Sequence, residues 1–502
     1  MKTDSEAAAG LIGLVAKHAG LLLKHASDKA GETPLFVNAL DSRTLSPVAY
    51  DPDHVNREAL LASPASQQRW QKLLCGLTRL TGDPAYEERA LAVNRFLLDS
   101  QTDDGGLLLW GGHTAYNVEN RSIEYAKDKS KVHELKFHYP DYELMWRADP
   151  EGTRRYIEAM WNAHILDWSR LDFNRHGPYG TPPGRLWEHE YKGGDVFFWG
   201  RGLTFVNAGS DLYYAAAMLA KLSGEKAPLA WSKRLARRYV ETRQPGIGIS
   251  GYQFSQSANS WCNGPAVKGD RAQYQLAPLI PEGHDVYEGT LFKPRPVVQR
   301  CMLAIGEQAG EVAECFIRWA CEEIAAWGRI AYRRSDNSFV PMLTDGYPIE
   351  GLSLDRDGYF GPKGRVFGAI PAGPDFFWMY AAGYRHSRDP FLWEMAKSIA
   401  DGMGAGDIGQ PSGGGVRTWE QREDNADYRL LYGLLELYKA TDDRRFLSYA
   451  RQMGEQLLTK VADNGAFVSE ERILTDDPLP LALLHLAEAL QDRPGNVPLT
   501  WK

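Results

Sequence analysis

Leu212, Ala215, Ala216 and Leu219 fall at i, i+3, i+4 and i+7, and so do Leu431, Leu434, Leu435 and Tyr438. That spacing places apolar side chains along one face of an α-helix. The pattern comes in pairs. Residues 72–98 read as an apolar helix, a Thr-Gly-Asp stop and a second helix carrying Ala and Leu, and residues 430–459 repeat the scheme around Thr-Asp-Asp. Residues 212–240, turning at Ser223-Gly224-Glu225, and residues 376–400, turning at Ser387-Arg388-Asp389-Pro390, do the same. Gly or Asp closes the first helix, and Asp83 or Asp389 caps the second, with Pro84 or Pro390 at its first position. Recurring helical hairpins predict an all-α protein, an (α/α) toroid or barrel whose helices alternate between an inner and an outer ring. A solenoid of helix pairs is the competing arrangement.

Between the hairpins, residues 101–120, 173–206, 244–295 and 335–375 are rich in Gly, Pro, Tyr and Trp. Loops of that length in a compact domain are usually functional, and here they are expected to line a cleft together with short β-segments. The expected organisation is one catalytic domain over residues 1–502, with an N-terminal helix in 1–30.

Composition narrows the classes. In 502 residues, 43% are hydrophobic and 24% charged, enough for a sizeable core and incompatible with disorder. The net charge of −8 argues against nucleic acid as a partner. Fifteen Trp suit stacking on sugar rings as well as they suit a large core. Five cysteines without a CxxC fit a reducing compartment. The apolar stretch Leu11–Val15 is cut by Lys17 and His18, which reads as an amphipathic helix and not as a secretory signal. No uninterrupted apolar run approaches about 18 residues, so no membrane span is expected. The expected location is cytoplasmic.

Three loop stretches carry candidate chemistry. They are Trp110-Gly111-Gly112-His113, behind the turn at Thr102–Gly106; Lys131-Val132-His133-Glu134-Leu135-Lys136, with His138 close behind; and Asn174-Arg175-His176-Gly177-Pro178-Tyr179-Gly180. His133 and His138 are five apart and do not share a helix face as a zinc-protease pair does. His113, Glu134 and His176 together offer two imidazoles and a carboxylate, a set suited to Mn, Fe, Co, Ni or Zn and too rich in nitrogen for calcium. They stand 21 and 42 residues apart, hence on separate elements.

The three stretches resemble polysaccharide lyase family 2, the pectate lyases with an (α/α)7 barrel, in which a Trp-Gly-Gly-His-like stretch, a Glu and an Arg-His pair supply the site. The resemblance implies that His113, Glu134 and His176 hold a divalent metal, Mn foremost, with Co, Ni and Zn as alternatives. It implies that Arg175 is the Brønsted base. The implied reaction is β-elimination in a 1,4-linked galacturonan, with exo action releasing disaccharides from imported oligogalacturonides. The residue alone leaves a second role open for Arg175, as a bidentate clamp on a substrate carboxylate. Arg185, Arg201, Lys268, Arg271 and Lys293 can bind further carboxylates or be solvated charges. Trp110 and Tyr116, and also Trp187, Trp199, Tyr252 and Trp261, can stack on sugars or pack in the core.

Three rivals stand beside this reading. An inverting hydrolase would use paired carboxylates, among Glu188, Glu190, Asp345, Asp355, Asp357 and Asp375. An epimerase would use histidines such as His176, His189, His284 or His386. A binding protein would use none of them chemically.

Overall fold

The computed structural model describes residues 3–28, 31–127, 131–257, 275–284, 294–412, 418–420 and 426–502. The helix pairs expected from the apolar period are present. Gln68–Thr81 packs on Ala85–Ser100, Val206–Ser223 on Lys226–Glu241, Pro374–Ser387 on Pro390–Gly402, and Tyr428–Thr441 on Arg444–Leu457. Their stops behave as the sequence predicts. Gly82 and Gly224 end their helices in the left-handed region, at φ 81° and 78°. The Asp389 carboxylate accepts the Phe391 N–H as an N-cap, and Pro390 opens the helix. Asp83 caps likewise through the Ala85 N–H, although the helix begins one residue later than expected.

The chain folds into two compact units. The first comprises residues 1–163, 176–184 and 421–500. At its centre lies Pro478–Leu490, which packs against Asp4–His25, Gln68–Thr81, Tyr428–Thr441 and Arg444–Leu457. Leu479 to Glu488 are buried without a break, as expected of a helix that is apolar all round. The second unit comprises residues 164–175, 185–420 and 501–502. There Pro296–Ala309 packs against Val206–Ser223, Glu314–Ile330 and Pro374–Ser387.

In both units a helix buried on every side is followed by one buried on a single face. Val206–Ser223 is buried from Ala208 to Ala220, whereas Lys226–Glu241 buries the stripe of Trp231, Leu235, Ala236 and Tyr239. Tyr428–Thr441 and Arg444–Leu457 show the same contrast. This alternation is that of the expected all-α, α/α class. Strands are short and lie in the loops, as expected.

Asp4–His25 is the amphipathic N-terminal helix expected, opened by a Thr3/Glu6 capping box and burying Ala8, Leu11, Ile12, Val15, His18, Ala19 and Leu22 along one face. It differs from expectation in being long and apolar enough, by length and composition, to cross a membrane. His18 does not interrupt its apolar face. The imidazole is buried, packs edge-on against Phe467 at 5.0 Å, and accepts the Phe467 N–H at 3.4 Å.

Burial lowers the His18 pKa from 6.5 to about 4. The folded state therefore resists a proton that the unfolded chain takes up. Stability is fully present above pH 6.5 and falls as the pH drops from 6.5 towards 4, by about 3 kcal/mol from this group. His18→Leu is expected to flatten that part of the profile. Urea unfolding at pH 7 and pH 4.5 checks this, and an unchanged slope in the variant assigns the acid sensitivity elsewhere.

Candidate active site

The first of the three stretches is fixed from behind. The Asp103 carboxylate accepts the Leu107 N–H at 2.7 Å, closing its own turn, and the Gly180 N–H at 2.6 Å, tying that turn to the third stretch. Trp110 follows; its indole N–H donates to the Tyr156 hydroxyl at 3.1 Å and its ring meets Tyr156 edge-on. Gly111 and Gly112 then reverse the chain at φ 76° and 58°. A β-carbon on Gly112 would lie 2.3 Å from both Cβ and Oε2 of Glu134, so glycine is obligatory there on two counts. The reversal delivers His113, whose carbonyl accepts the Ala126 N–H at 2.9 Å at the head of the Thr114–Asn117/Ser122–Tyr125 hairpin.

The other two stretches meet as an antiparallel pair, Val132–Glu134 with His176–Pro178, in which Glu134 stands directly opposite His176. Cross-strand partners project from the same face of the pair. Their neighbour His133 turns the other way, into a buried aromatic wall with Tyr156 and Tyr179. Burial pushes the Tyr179 phenol well above its ordinary value. His138 lies behind the Gly111 turn and is not part of the convergence.

The result brings together the three donors expected from the sequence. His113 Nε2 lies 3.4 Å from Glu134 Oε2, His176 Nε2 lies 3.5 Å from Glu134 Oε1, and one donor atom from each residue falls within 4.8 Å of the others. Glu134 is buried, while the side chain of His113 is 16% exposed and that of His176 36%. Two ligands about 2.1 Å from a common ion at a tetrahedral angle sit about 3.4 Å apart, so the separations suit shared coordination. The donor chemistry fits as well. A carboxylate taken from water requires an opposite charge close by, and three protein ligands leave open positions for substrate.

The remaining candidates divide. Arg175 precedes His176 directly; its guanidinium lies 5.7 Å from the Phe205 ring centroid, and the neighbouring Asn174 is bonded to His164 through both its N–H and its carbonyl. Arg185 is exposed at the start of a short 3₁₀ turn. Arg201 is exposed and donates to the Leu166 carbonyl. Trp110 and Tyr116 do not present faces to a sugar. Trp110 is 3% exposed in the aromatic wall, and Tyr116 is buried in its strand with its ring edge-on to Phe96. Lys268, Arg271, Lys293 and Trp261 lie outside the described residues. Sequence reasoning missed Asp103, whose Asp-Asp-Gly-Gly setting marks a side-chain-bonded turn. It also missed Tyr156, which lies mid-helix and carries no local signal.

Residues 33–502 match the family model described as periplasmic pectate lyase. The chain belongs to this pectate lyase family. A pectate disaccharide-lyase of Dickeya dadantii (strain 3937) is 30% identical, over 97% of this chain and 90% of its own length. Among solved structures, cellobiose 2-epimerase from Bacillus thermoamylovorans B4167 is similar at 9% identity and a TM-score of 0.44, covering 97% of this chain and 99% of its own. A D-mannose isomerase is similar at 10% identity and a TM-score of 0.46, covering 86% and 97%. Likenesses that remote say nothing about the reaction.

Membership in the pectate lyase family makes the chain a polysaccharide lyase and sets aside the hydrolase and epimerase readings. Three of the carboxylates named for a hydrolase stand in ion pairs, Asp355 with Arg356, Asp375 with Arg300 and Asp345 with His284. The family's periplasmic description overturns the cytoplasmic expectation. That expectation rested on Lys17 and His18 breaking an apolar segment. Three-dimensionally they do not, because the buried His18 belongs to the apolar face of a helix that is continuous from Asp4 to His25.

Gly112→Ala is expected to drive Glu134 out of register with His176 and to cost roughly 2–4 kcal/mol of stability. A denaturant midpoint equal to that of wild type would show that the close approach is not required.

Proposed function

We propose that this pectate lyase acts on oligogalacturonides by metal-dependent β-elimination, with His113, Glu134 and His176 as the ligands, Mn as the preferred ion, Arg175 as the base and a disaccharide as the product. The observation that carries the reading is the convergence of the three donors around the Glu134–His176 pair in a chain of this family. The relative from Dickeya dadantii, named for disaccharide release, supports the exo mode.

A divalent ion, when bound there, neutralises the uronate carboxylate and stabilises the negative charge that develops as the C5 proton leaves. The chain's own residues do the rest. Glu134 contributes one negative charge and the two histidines none in their neutral forms, so the set leaves net positive charge for the substrate carboxylate. Arg175 takes the proton at C5; the C5–H electrons form the C4–C5 double bond, the C4–O4 bond breaks, and the departing oxygen is protonated.

Arginine is an expensive base. A free arginine side chain holds its proton far into the alkaline range, and orientation against C5–H offsets part of that cost.

Polygalacturonate is expected to give a rise in absorbance near 235 nm that a chelator abolishes and Mn restores. New reducing ends without that rise would contradict elimination. Metal analysis of His113→Ala and His176→Ala is expected to show loss of both bound metal and turnover; full occupancy in either removes that residue from the set. Arg175→Lys is expected to keep the metal and lose roughly a thousandfold in kcat. Substantial activity in that variant places the base elsewhere.

A further inference from the structure

Arg175 and His176 share a peptide bond, yet each is held by its own partners. His176 stands in the strand pair with Val132–Glu134. The segment that leads into Arg175 is the returning arm of a hairpin, Ile165–Asp167 with Asp172–Phe173. His164 precedes that hairpin and extends its ladder by one residue. Its carbonyl accepts the Asn174 N–H at 3.1 Å, and its Nδ1 lies 2.7 Å from the Asn174 carbonyl oxygen. A carbonyl oxygen only accepts, so Nδ1 carries the hydrogen and donates. His164 is buried completely. On the other side, Asn174 bridges in parallel to Leu203. A β-carbon on Gly202 would lie 2.1 Å from the Phe173 carbonyl oxygen, so the two backbones pass in direct contact there.

The two His164 bonds grip the peptide groups on both sides of Asn174. One takes the N–H of the peptide between Phe173 and Asn174. The other takes the carbonyl of the next peptide, whose nitrogen belongs to Arg175. A peptide group is planar, so fixing its carbonyl sets the direction from which the chain enters Arg175. At the far end of the side chain, the guanidinium lies 5.7 Å from the ring centroid of Phe205. Phe205 is buried, with its ring centroid 5.2 Å from that of Tyr252. His164, Asn174, Arg175, Phe205 and Tyr252 all belong to the second unit, and Arg175 is bonded directly to the donor His176. A base works by reaching one proton, and a misplacement of about 1 Å can cost about a hundredfold in rate.

We propose that His164 is a positioning residue for Arg175, its imidazole N–H fixing the peptide from which the guanidinium is delivered. The proposal rests on the base role given to Arg175 above. It is tested by metal analysis and by steady-state kinetics of the metal-loaded full chain on oligogalacturonides, followed at 235 nm. His164→Phe keeps a ring and removes the donor. It is expected to lower kcat about tenfold with little change in KM. Bound Mn should equal that of wild type, because His176 is held by its own strand pair. His164→Asn, whose side-chain N–H replaces the lost donor, is expected to recover most of kcat. In an Arg175→Lys background His164→Phe is expected to cause no further loss, since residues that act through one another are not additive. Wild-type kcat in His164→Phe, loss of its Mn, or an undiminished further loss in the Arg175→Lys background overturns the positioning role and leaves the lyase reading intact. Should His164→Phe fail to fold, His164→Asn decides. A folded, Mn-loaded His164→Asn with wild-type kcat supports the role, and one about tenfold slower overturns it. Wild-type turnover in Arg175→Lys overturns the base role and the positioning role together. Absence of 235-nm product from wild type overturns the lyase reading itself.

Discussion

The site depends on burying one carboxylate between two imidazoles. Glu134 is withdrawn from water, which is costly for an anion unless opposite charge is supplied nearby. The two nearest ring nitrogens lie 3.4 and 3.5 Å away, close enough to share an ion with it. The surrounding loops are arranged to keep those distances. A cross-strand pair fixes Glu134 against His176, a glycine reversal brings His113 over Glu134, and the Asp103 carboxylate joins the first stretch to the third.

Behind these loops the helices provide stiffness. Pro478–Leu490, buried from Leu479 to Glu488, forms the centre of the unit that holds the three donors, and Asp4–His25, Gln68–Thr81, Tyr428–Thr441 and Arg444–Leu457 pack around it. The aromatic wall of Trp110, Tyr156, His133 and Tyr179 backs the donors with packed rings. Packed rings and satisfied turns limit the rotamers open to the three donor side chains, which is how precise spacing survives on loops.

Much of this was legible in the chain. The helix pairs follow from apolar spacing and from Gly, Asp and Pro stops, because those signals are local. The donors were legible as residue types in loop motifs, but not as a cluster, since 21 and 42 intervening positions carry no distance information. The aromatics stayed open between stacking and packing for a related reason. Nothing local distinguishes Trp110 and Tyr116, which are packed, from Trp199, which is exposed. The compartment was misread because it was argued from an apolar run cut at Lys17 and His18, whereas His18 is buried on the apolar face of a continuous helix.

The most direct measurement is anomalous diffraction from crystals of the full chain soaked in Mn. A single strong peak among His113, Glu134 and His176 is the result the proposed ligand set predicts. No peak there, or a peak held by other side chains while these three stay as they are, would contradict it.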